Sequence, residues 1–406
     1  MITSRSFWAT VAACFVVSVG ATPAVADDPL GDIPPAVLAE AAEVLDTAPA
    51  RRGLEVVVTT RATTASRPEF ETIAVDSRTD ALETISEALE EPATAGVDMV
   101  QPAVIAGRAI DPLRTKQWGL DMVRWEADAL RYSTGSGVKV AVVDTGVKID
   151  HVDLKGRVMR GRDFVDPGTK ATDQNGHGTH VAGAIAAAAG NGKYVTGVAP
   201  AATIVPVRVL NSRGSGGTDD VAAGIMWAAD QRVNVINLSL TAPPTADVEA
   251  AVAWALRQNI VVVAAAGNAG CPQVGSNLPT YPAAYPGVIG VGAVDRDGSP
   301  ASFSSCGDWV DVMAPGVSIT SLSVRDPKIA GCTSKRYWCS LSGTSMAAPM
   351  VTAAAALRIA RTGRTGYDAW LVSDQILTAA QDMGDLGRDN RSGFGLIAME
   401  PLLRAK

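Results

Sequence analysis

The stretch VKVAVVDTG, Val138 to Gly146, decides the fold. Val138–Val143 is short, largely apolar and rich in β-branched residues, as expected of a strand covered on both faces. Asp144 follows directly, so a carboxylate stands at the strand exit, and Thr145-Gly146 turns the chain away. The same pattern repeats downstream. Ile204–Leu210, Val233–Leu238 and Ile260–Ala265 read as further short apolar strands, while His177–Ala189, Asp219–Asp230 and Val248–Arg257 read as helices. Apolar strands alternating with helices predict an α/β domain with a parallel sheet and helices on both faces. Such sheets carry their chemistry beyond the carboxyl ends of the strands, where Asp144 and, just past another strand, Asn268 stand.

Two further segments share the small-residue character of Ala141–Val147: Asn175–Gly183 (NGHGTHVAG) and Leu341–Pro349 (LSGTSMAAP). Between them they carry Asp, His and Ser, the residue types needed to turn a hydroxyl into a nucleophile. The hydroxyl needs an imidazole base, and the second imidazole nitrogen needs a fixed acceptor. Ser345, at the start of a small-residue helix, is the candidate nucleophile, with Ser340 and Ser342 as neighbours better suited to the turn or the cleft. His177 is the candidate base. Of the other two histidines, His180 lies three residues on along the helix and fits a buried core histidine, and the third is His151. Asp144 is the orienting carboxylate, with Asp150 and Asp153 as alternatives in the following turn. Asn268, in Val261–Asn268 (VVVAAAGN), is the candidate oxyanion donor together with the Ser345 N–H. No H-E-x-x-H pattern points to a catalytic metal, and the turn after Val143 lacks the G-x-G-x-x-G of a dinucleotide site.

The 406 residues are 47% hydrophobic and 19% charged, with a net charge of −7. This favours a sizeable core, and no basic run suggests a nucleic-acid partner. Residues 1–26 read as a signal peptide, with Arg5, the apolar run Phe7–Gly20 and an Ala24-Val25-Ala26 cleavage site. The expected localisation is therefore secreted and extracellular. No later apolar stretch has the length of a membrane span. Residues 27–110 read as a small α+β unit. It has helices at Pro35–Leu45 and Asp80–Leu89 and strands at Leu54–Thr59 and Gly96–Gln101. Its place between signal and catalytic domain suggests an inhibitory prodomain. Residues 111–406 form the catalytic domain. Cys14 leaves with the signal, and Cys271, Cys306, Cys332 and Cys339 remain. In an exported chain these imply two disulfides, of which Cys271–Cys306 with Cys332–Cys339 is the simplest of three pairings.

Over about Asp111 to Phe394 the chain resembles the subtilisin-like serine proteases. D-T-G, H-G-T-H-V-A-G and G-T-S-M-A-A-P occur in the family's order. Within the family it is most similar to the thermitase branch, through Asp163–Asp166, Val207–Gly214, Ala228–Gln231 and Val261–Gly270. The resemblance implies Asp144, His177 and Ser345 as triad and Asn268 as oxyanion donor. It implies a prodomain that assists folding, inhibits and is cut away shortly before Asp111. It also implies a cleft that clamps an extended peptide between Gly214, Ser215, Gly216 and Gly217 on one side and Ser239, Leu240 and Thr241 on the other. Ala265, Ala266 and Gly267 would wall a pocket for apolar or aromatic side chains. Thr241 departs from the usual Gly, which narrows a subsite. A broad endopeptidase acting on proteins and peptides follows, expected as a monomer without nucleic acid or a stable membrane anchor.

The resemblance further implies a structural calcium ion at Asp111, Asp153 and Asn191, with no cofactor needed for catalysis. A second site near Asp163 is not expected, because Gly168 and Lys170 stand where oxygen ligands belong. Two other functions stay open. One is a dedicated maturation protease of a secretion system, like the mycosins, although Leu402–Lys406 offers no membrane anchor. The other is a non-catalytic peptide-binding scaffold, which a missing triad member would mark.

Overall fold

The computed structural model describes residues 111–404 except 126–128, 272–277, 333–335 and 364–365, and, further upstream, the strands 54–60, 69–75 and 94–99 together with Thr84 and Glu87. The signal peptide, the helix at 35–45, most of the helix at 80–89 and the segment before Asp111 lie outside the described residues. The chain divides into two compact units, Met1–Ala106 and Gly107–Lys406.

In the first unit, β1 (Leu54–Thr60) is the central strand of an antiparallel sheet, between β2 (Glu69–Val75) and β3 (Thr94–Met99). Strand β2 has no counterpart in the sequence reading. Its EFETIAV alternates only loosely and sits among polar residues. Thr84 and Glu87 are helical, within the helix expected at 80–89.

The second unit is built on a seven-stranded sheet in the order β10-β9-β8-β7-β4-β6-β5, and every neighbouring pair is parallel. The strands are β4 (Lys139–Asp144), β5 (Arg162–Asp163), β6 (Thr203–Arg208), β7 (Val235–Leu238), β8 (Val261–Ala265), β9 (Ile289–Val294) and β10 (Val312–Pro315). Strand β4 shows why the run is apolar. Val140 and Val142 face one core and Ala141 and Val143 the other, all fully buried, as the period-two geometry of a strand dictates. One core is shared with helices α1 (His177–Ala186), α4 (Thr344–Thr362) and α5 (Ala369–Thr378). The opposite core is shared with α2 (Thr218–Asp230) and α3 (Ala246–Arg257). The sheet is thus covered on both faces, as the alternation predicts.

Strands β5 and β6 extend the sheet on one side of β4, and β7 to β10 extend it on the other. The carboxyl end of β4 is therefore where strand order reverses, the place such sheets use for ligands. An antiparallel pair, β11 (Ile319–Leu322) and β12 (Trp338–Leu341), leads through Ser342 and Gly343 into α4. The disulfides join Cys271 to Cys306 and Cys332 to Cys339, with Cα–Cα separations of 5.2 and 5.7 Å. Among the described residues no helix is long and apolar enough to cross a membrane.

Candidate active site

Asp144 closes β4 with a fully buried carboxylate. Oδ1 accepts from the Thr145 N–H at 2.6 Å, and both oxygens lie 2.8 Å from His177 Nδ1. A carboxylate can only accept, so Nδ1 carries the proton and Nε2 is left as the basic nitrogen. His177 opens α1 and keeps 15% of its side chain exposed. Helix and strand approach this closely because residue 178 has no side chain. A Cβ there would stand 2.1 Å from the Gly146 carbonyl and 3.1 Å from Asp144 Oδ1. Burial disfavours the imidazolium, but the charge and hydrogen bond of Asp144, with Asp173 behind it, outweigh burial and hold the His177 pKa above its ordinary value.

Behind this pair lies a buried network with Asp173 at its centre. Asp173 accepts from Thr145 Oγ1 and from the N–H groups of Asn175 and Gly176 at Oδ1. At Oδ2 it accepts from the N–H and Oγ1 of Thr179. Thr145 Oγ1 in turn accepts from the Gly178 N–H at 3.0 Å. Burial pushes the Asp173 carboxyl up, against the pull of these hydrogen bonds. Its donors tie the exit of β4 to the first turn of α1, so Asp144 and His177 are held from behind. Asn175 adds a link outward: its Oδ1 accepts from the His177 N–H, and its Nδ2 donates to the Ser212 carbonyl.

Ser345 occupies the first turn of α4. Its Oγ donates to the Ser239 carbonyl at 3.1 Å. Asn268 lies just past β8, and its Oδ1 accepts from the Thr344 N–H at 2.9 Å and from Thr344 Oγ1 at 3.0 Å. With the oxygen held there, Nδ2 faces the turn before Ser345. A Cβ on Gly343 would lie 3.4 Å from Asn268 Nδ2 and 3.7 Å from the Ser345 nitrogen. Gly343 has φ +154°, which an L side chain rarely adopts, and its missing Cβ leaves open the space between two donors. A side-chain amide and a helix N-terminal N–H converging on one small volume suit a developing oxyanion.

The alternatives raised by the sequence fall elsewhere. His180 is buried, its Nε2 donates to the Ile319 carbonyl at 2.9 Å, and burial lowers its pKa to about 3, so it is a neutral core histidine. Asp150 is exposed and paired with Lys148. Ser340 Oγ bonds to Thr320 Oγ1, and Ser342 Oγ accepts from the Ser318 N–H. The segments expected to clamp a peptide differ in exposure. Asn211–Ser215 is a turn that leaves Gly214, Ser215 and Gly216 exposed, while Ser239 and Leu240 are buried beside exposed Thr241. Ala265 and Ala266 are buried, and Gly267 receives the Ser305 N–H on its carbonyl.

Asp111, Asp153 and Asn191 do come together, but their oxygens are already taken. Asp111 Oδ1 accepts from the N–H groups of Asn191 and Gly192, and Oδ2 from the Gly190 N–H and Thr196 Oγ1. A carboxylate has about four lone-pair sites, and here four donors fill them. Asp153 accepts from Asn191 Nδ2 and the Val195 N–H, while Asn191 Oδ1 accepts from the Lys193 N–H. Successive N–H groups form a nest that binds an anion, and the anion is Asp111 itself. A calcium ion needs six to eight oxygens turned toward it, so this donor set does not fit one. Near Asp163 the cation is protein: Arg208 Nη1 stands 2.7 Å from Asp163 Oδ2 in a buried pair.

The sequence profile of the subtilase family matches residues 135–395. The chain belongs to the subtilase family. The thermophilic serine proteinase of Bacillus sp. (strain AK1) is 47% identical over 234 residues, covering 57% of this chain and 54% of that protein. Subtilisin Savinase of Lederbergia lenta is 41% identical over 289 residues, covering 71% of this chain and 98% of that one. Thermitase of Thermoactinomyces vulgaris is 42% identical over 252 residues, covering 62% and 84%. This subtilase thus spans about half the length of the first relative and nearly all of the second. Among solved structures, a protease from Pseudoalteromonas arctica superposes with a TM-score of 0.63 at 29% identity, covering 73% of this chain and 99% of that one. By these relatives the subtilase is a serine endopeptidase, and its resemblance to thermitase and the subtilisins stands.

The sequence reading of this subtilase passed over Asp173, Asn175 and the hydroxyl of Thr145. The spacing Asp173-x-Asn175-Gly176 ahead of His177 was a usable signal, since Asp and Asn that cap their own following N–H groups mark a tight turn.

Proposed function

We propose that the chain is a secreted endopeptidase that hydrolyses peptide bonds in proteins through an acyl-enzyme on Ser345. The carrying observation is the His177 imidazole clamped at Nδ1 by both oxygens of Asp144, which leaves Nε2 as the base. For the reaction the Ser345 hydroxyl leaves the Ser239 carbonyl and donates to that nitrogen. Ser345 Oγ then attacks the scissile carbonyl carbon as its proton passes to His177 Nε2. Asp144 keeps its charge and stabilises the imidazolium. The carbonyl oxygen becomes an oxyanion between Asn268 Nδ2 and the Ser345 N–H. The C–N bond breaks, and His177 returns the proton to the leaving amine. Water, deprotonated by the same nitrogen, then releases the acyl group.

The substrate is read as an extended chain of broad sequence, with an apolar or aromatic side chain toward Ala265–Gly267. The exposed backbone at Gly214–Gly216 supports strand addition as the binding mode. Residues 27–110 serve as an intramolecular inhibitor removed before Asp111, and the active chain is an extracellular monomer.

The test is intact-protein mass spectrometry of the full chain with and without Ser345→Ala, alongside digestion of a panel of unrelated denatured proteins. The expected result is loss of about residues 27–110 and broad cleavage by wild type, with neither in Ser345→Ala. Equal processing of both chains would overturn autocatalytic release, and cleavage of a single sequence in the panel would overturn broad specificity.

A further inference from the structure

Pro349 lies inside α4, four residues after Ser345. An α-helical residue donates its N–H to the carbonyl four positions back, and proline has no N–H to give. The carbonyl left without that bond is that of Ser345. It accepts instead from Ser239 Oγ at 2.9 Å. Ser239 follows β7 and is buried, and its Oγ accepts from Asn237 Nδ2 at 2.9 Å. Asn237, fully buried within β7, accepts at Oδ1 from Thr352 Oγ1 at 2.8 Å. Every direction in this chain is determined. Thr352 donates to an amide oxygen, the amide donates to a hydroxyl, and that hydroxyl donates to a carbonyl. Both ends lie on α4, seven residues apart and therefore on one helix face. Ser239 also accepts the Ser345 hydroxyl on its own carbonyl.

We propose that Ser239 is a positioning residue for the reaction at Ser345. Its hydroxyl replaces the helix bond that Pro349 removes, and so sets the peptide plane that carries the nucleophile. This rests on the reading of Ser345 as nucleophile. Proline frees the Ser345 carbonyl from the helix, and the Thr352–Asn237–Ser239 chain attaches it to the sheet. The nucleophile is thereby referenced to β7 rather than to the rest of α4.

The test is a double-mutant cycle of Ser239→Ala and Pro349→Ala. Thermal unfolding is read first, on the full chain carrying Ser345→Ala, so that the measurement does not depend on activity. Ser239→Ala leaves a part-buried carbonyl without that partner and is expected to lower Tm by about 3–6 °C. Adding Pro349→Ala supplies an N–H to the same carbonyl and is expected to recover at least about half of that loss. In the chain with Ser345 intact, Ser239→Ala is expected to lower kcat about tenfold with KM within about twofold. Pro349→Ala should restore part of kcat, as should Ser239→Thr in place of Ala, which keeps the hydroxyl. Additive effects in the cycle, or no effect of Ser239→Ala, would overturn the pairing. Recovery of Tm with kcat unmoved throughout would overturn the positioning role. A wild-type chain without activity would sink the nucleophile assignment while leaving the unfolding cycle readable.

Discussion

The subtilase buries two pairs of aspartates in similar surroundings, Asp144 with Asp173 and Asp111 with Asp153. Each pair lies where a loop rich in Gly, Asn and Thr folds back on a strand or helix end, and each draws on backbone N–H groups. They differ in what is left over. Asp111 has four donors and Asp173 five, all backbone N–H or hydroxyl, so neither has capacity for another partner. Asp144 receives one backbone N–H and otherwise faces the imidazole of His177. A carboxylate saturated by fixed donors holds chain together. One that reserves its oxygens for a titratable ring governs where a proton sits. In this molecule the second kind is built on the first, because Asp173 fixes the backbone from which Asp144 and His177 reach each other.

The largest expected effects come from the reactive groups. Ser345→Ala is expected to lower kcat by about 10⁶-fold, the scale found for such removals in subtilisin, a relative. Asp144→Asn should cost about 10⁴-fold at neutral pH, because an amide NH₂ facing Nδ1 favours the wrong tautomer. Asn268→Ala should cost about 10²–10³-fold in kcat with KM little changed, again as in subtilisin. Stopped-flow and steady-state assays on a peptide ester check all three, and a loss under tenfold for any of them would remove that residue from the mechanism.

Thr145→Val cuts the link between the two kinds of carboxylate. It leaves the Gly178 N–H and one lone pair of Asp173 unpaired, so a loss of about 1–3 kcal/mol in unfolding free energy is expected. Denaturant titration of the Ser345→Ala chain measures it, and an unchanged midpoint would mean the network relaxes at no cost.

The pH dependence follows from the raised His177 pKa. The proposed mechanism needs the neutral ring, so kcat/KM should fall on the acid side with an apparent pKa above the ordinary 6.5. Stability runs the other way. The fold favours the imidazolium, a contribution fully present below the unfolded pKa and lost as pH rises through the folded one. Acid-limb kinetics and Tm against pH should therefore move oppositely between pH 6 and 8, and a Tm that rises with His177 deprotonation would contradict the sign.

The smallest expected effect concerns calcium. A calcium ion present at 100 times its Kd would add about 2.7 kcal/mol, several degrees in Tm. With Asp111 saturated by N–H donors and Asp163 paired to Arg208, chelator should change Tm by less than about 1 °C. If calcium does raise Tm, the same rise in Asn191→Ala places the ion elsewhere, whereas its loss in that variant would restore the calcium assignment.

Much of the catalytic unit was legible. Strand β4 could be read because a buried parallel strand is a continuous apolar run, and the helices from their alternation with such strands. Boundaries shifted by a few residues. The helix expected at 177–189 ends at Ala186, where the N–H of Ala187 bonds back to Gly183 and the chain turns extended. Strands β9 and β10 were passed over, since GVIGVGAV and VDVMAP are interrupted by glycine and proline that only parallel neighbours explain. The residue types expected to hold calcium show the same limit. Asp111, Asp153 and Asn191 have the residue types of a cation site, and only the path of the loop at 190–196 turns N–H groups onto them.

Residue order alone determined the α/β alternation, the family, and which Asp, His, Ser and Asn to consider, because those depend on local pattern and on short segments that carry their chemistry with them. Tertiary structure alone decided which partners their lone pairs meet. It assigned the two oxygens of Asp144 to one imidazole, closed Asp111 with three successive amides, and delivered the hydroxyl of Ser239 to a carbonyl that Pro349 had vacated 106 residues away. The reason is physical. A hydrogen bond depends on where a donor points within a few tenths of an ångström, and the packing of whole elements sets that direction.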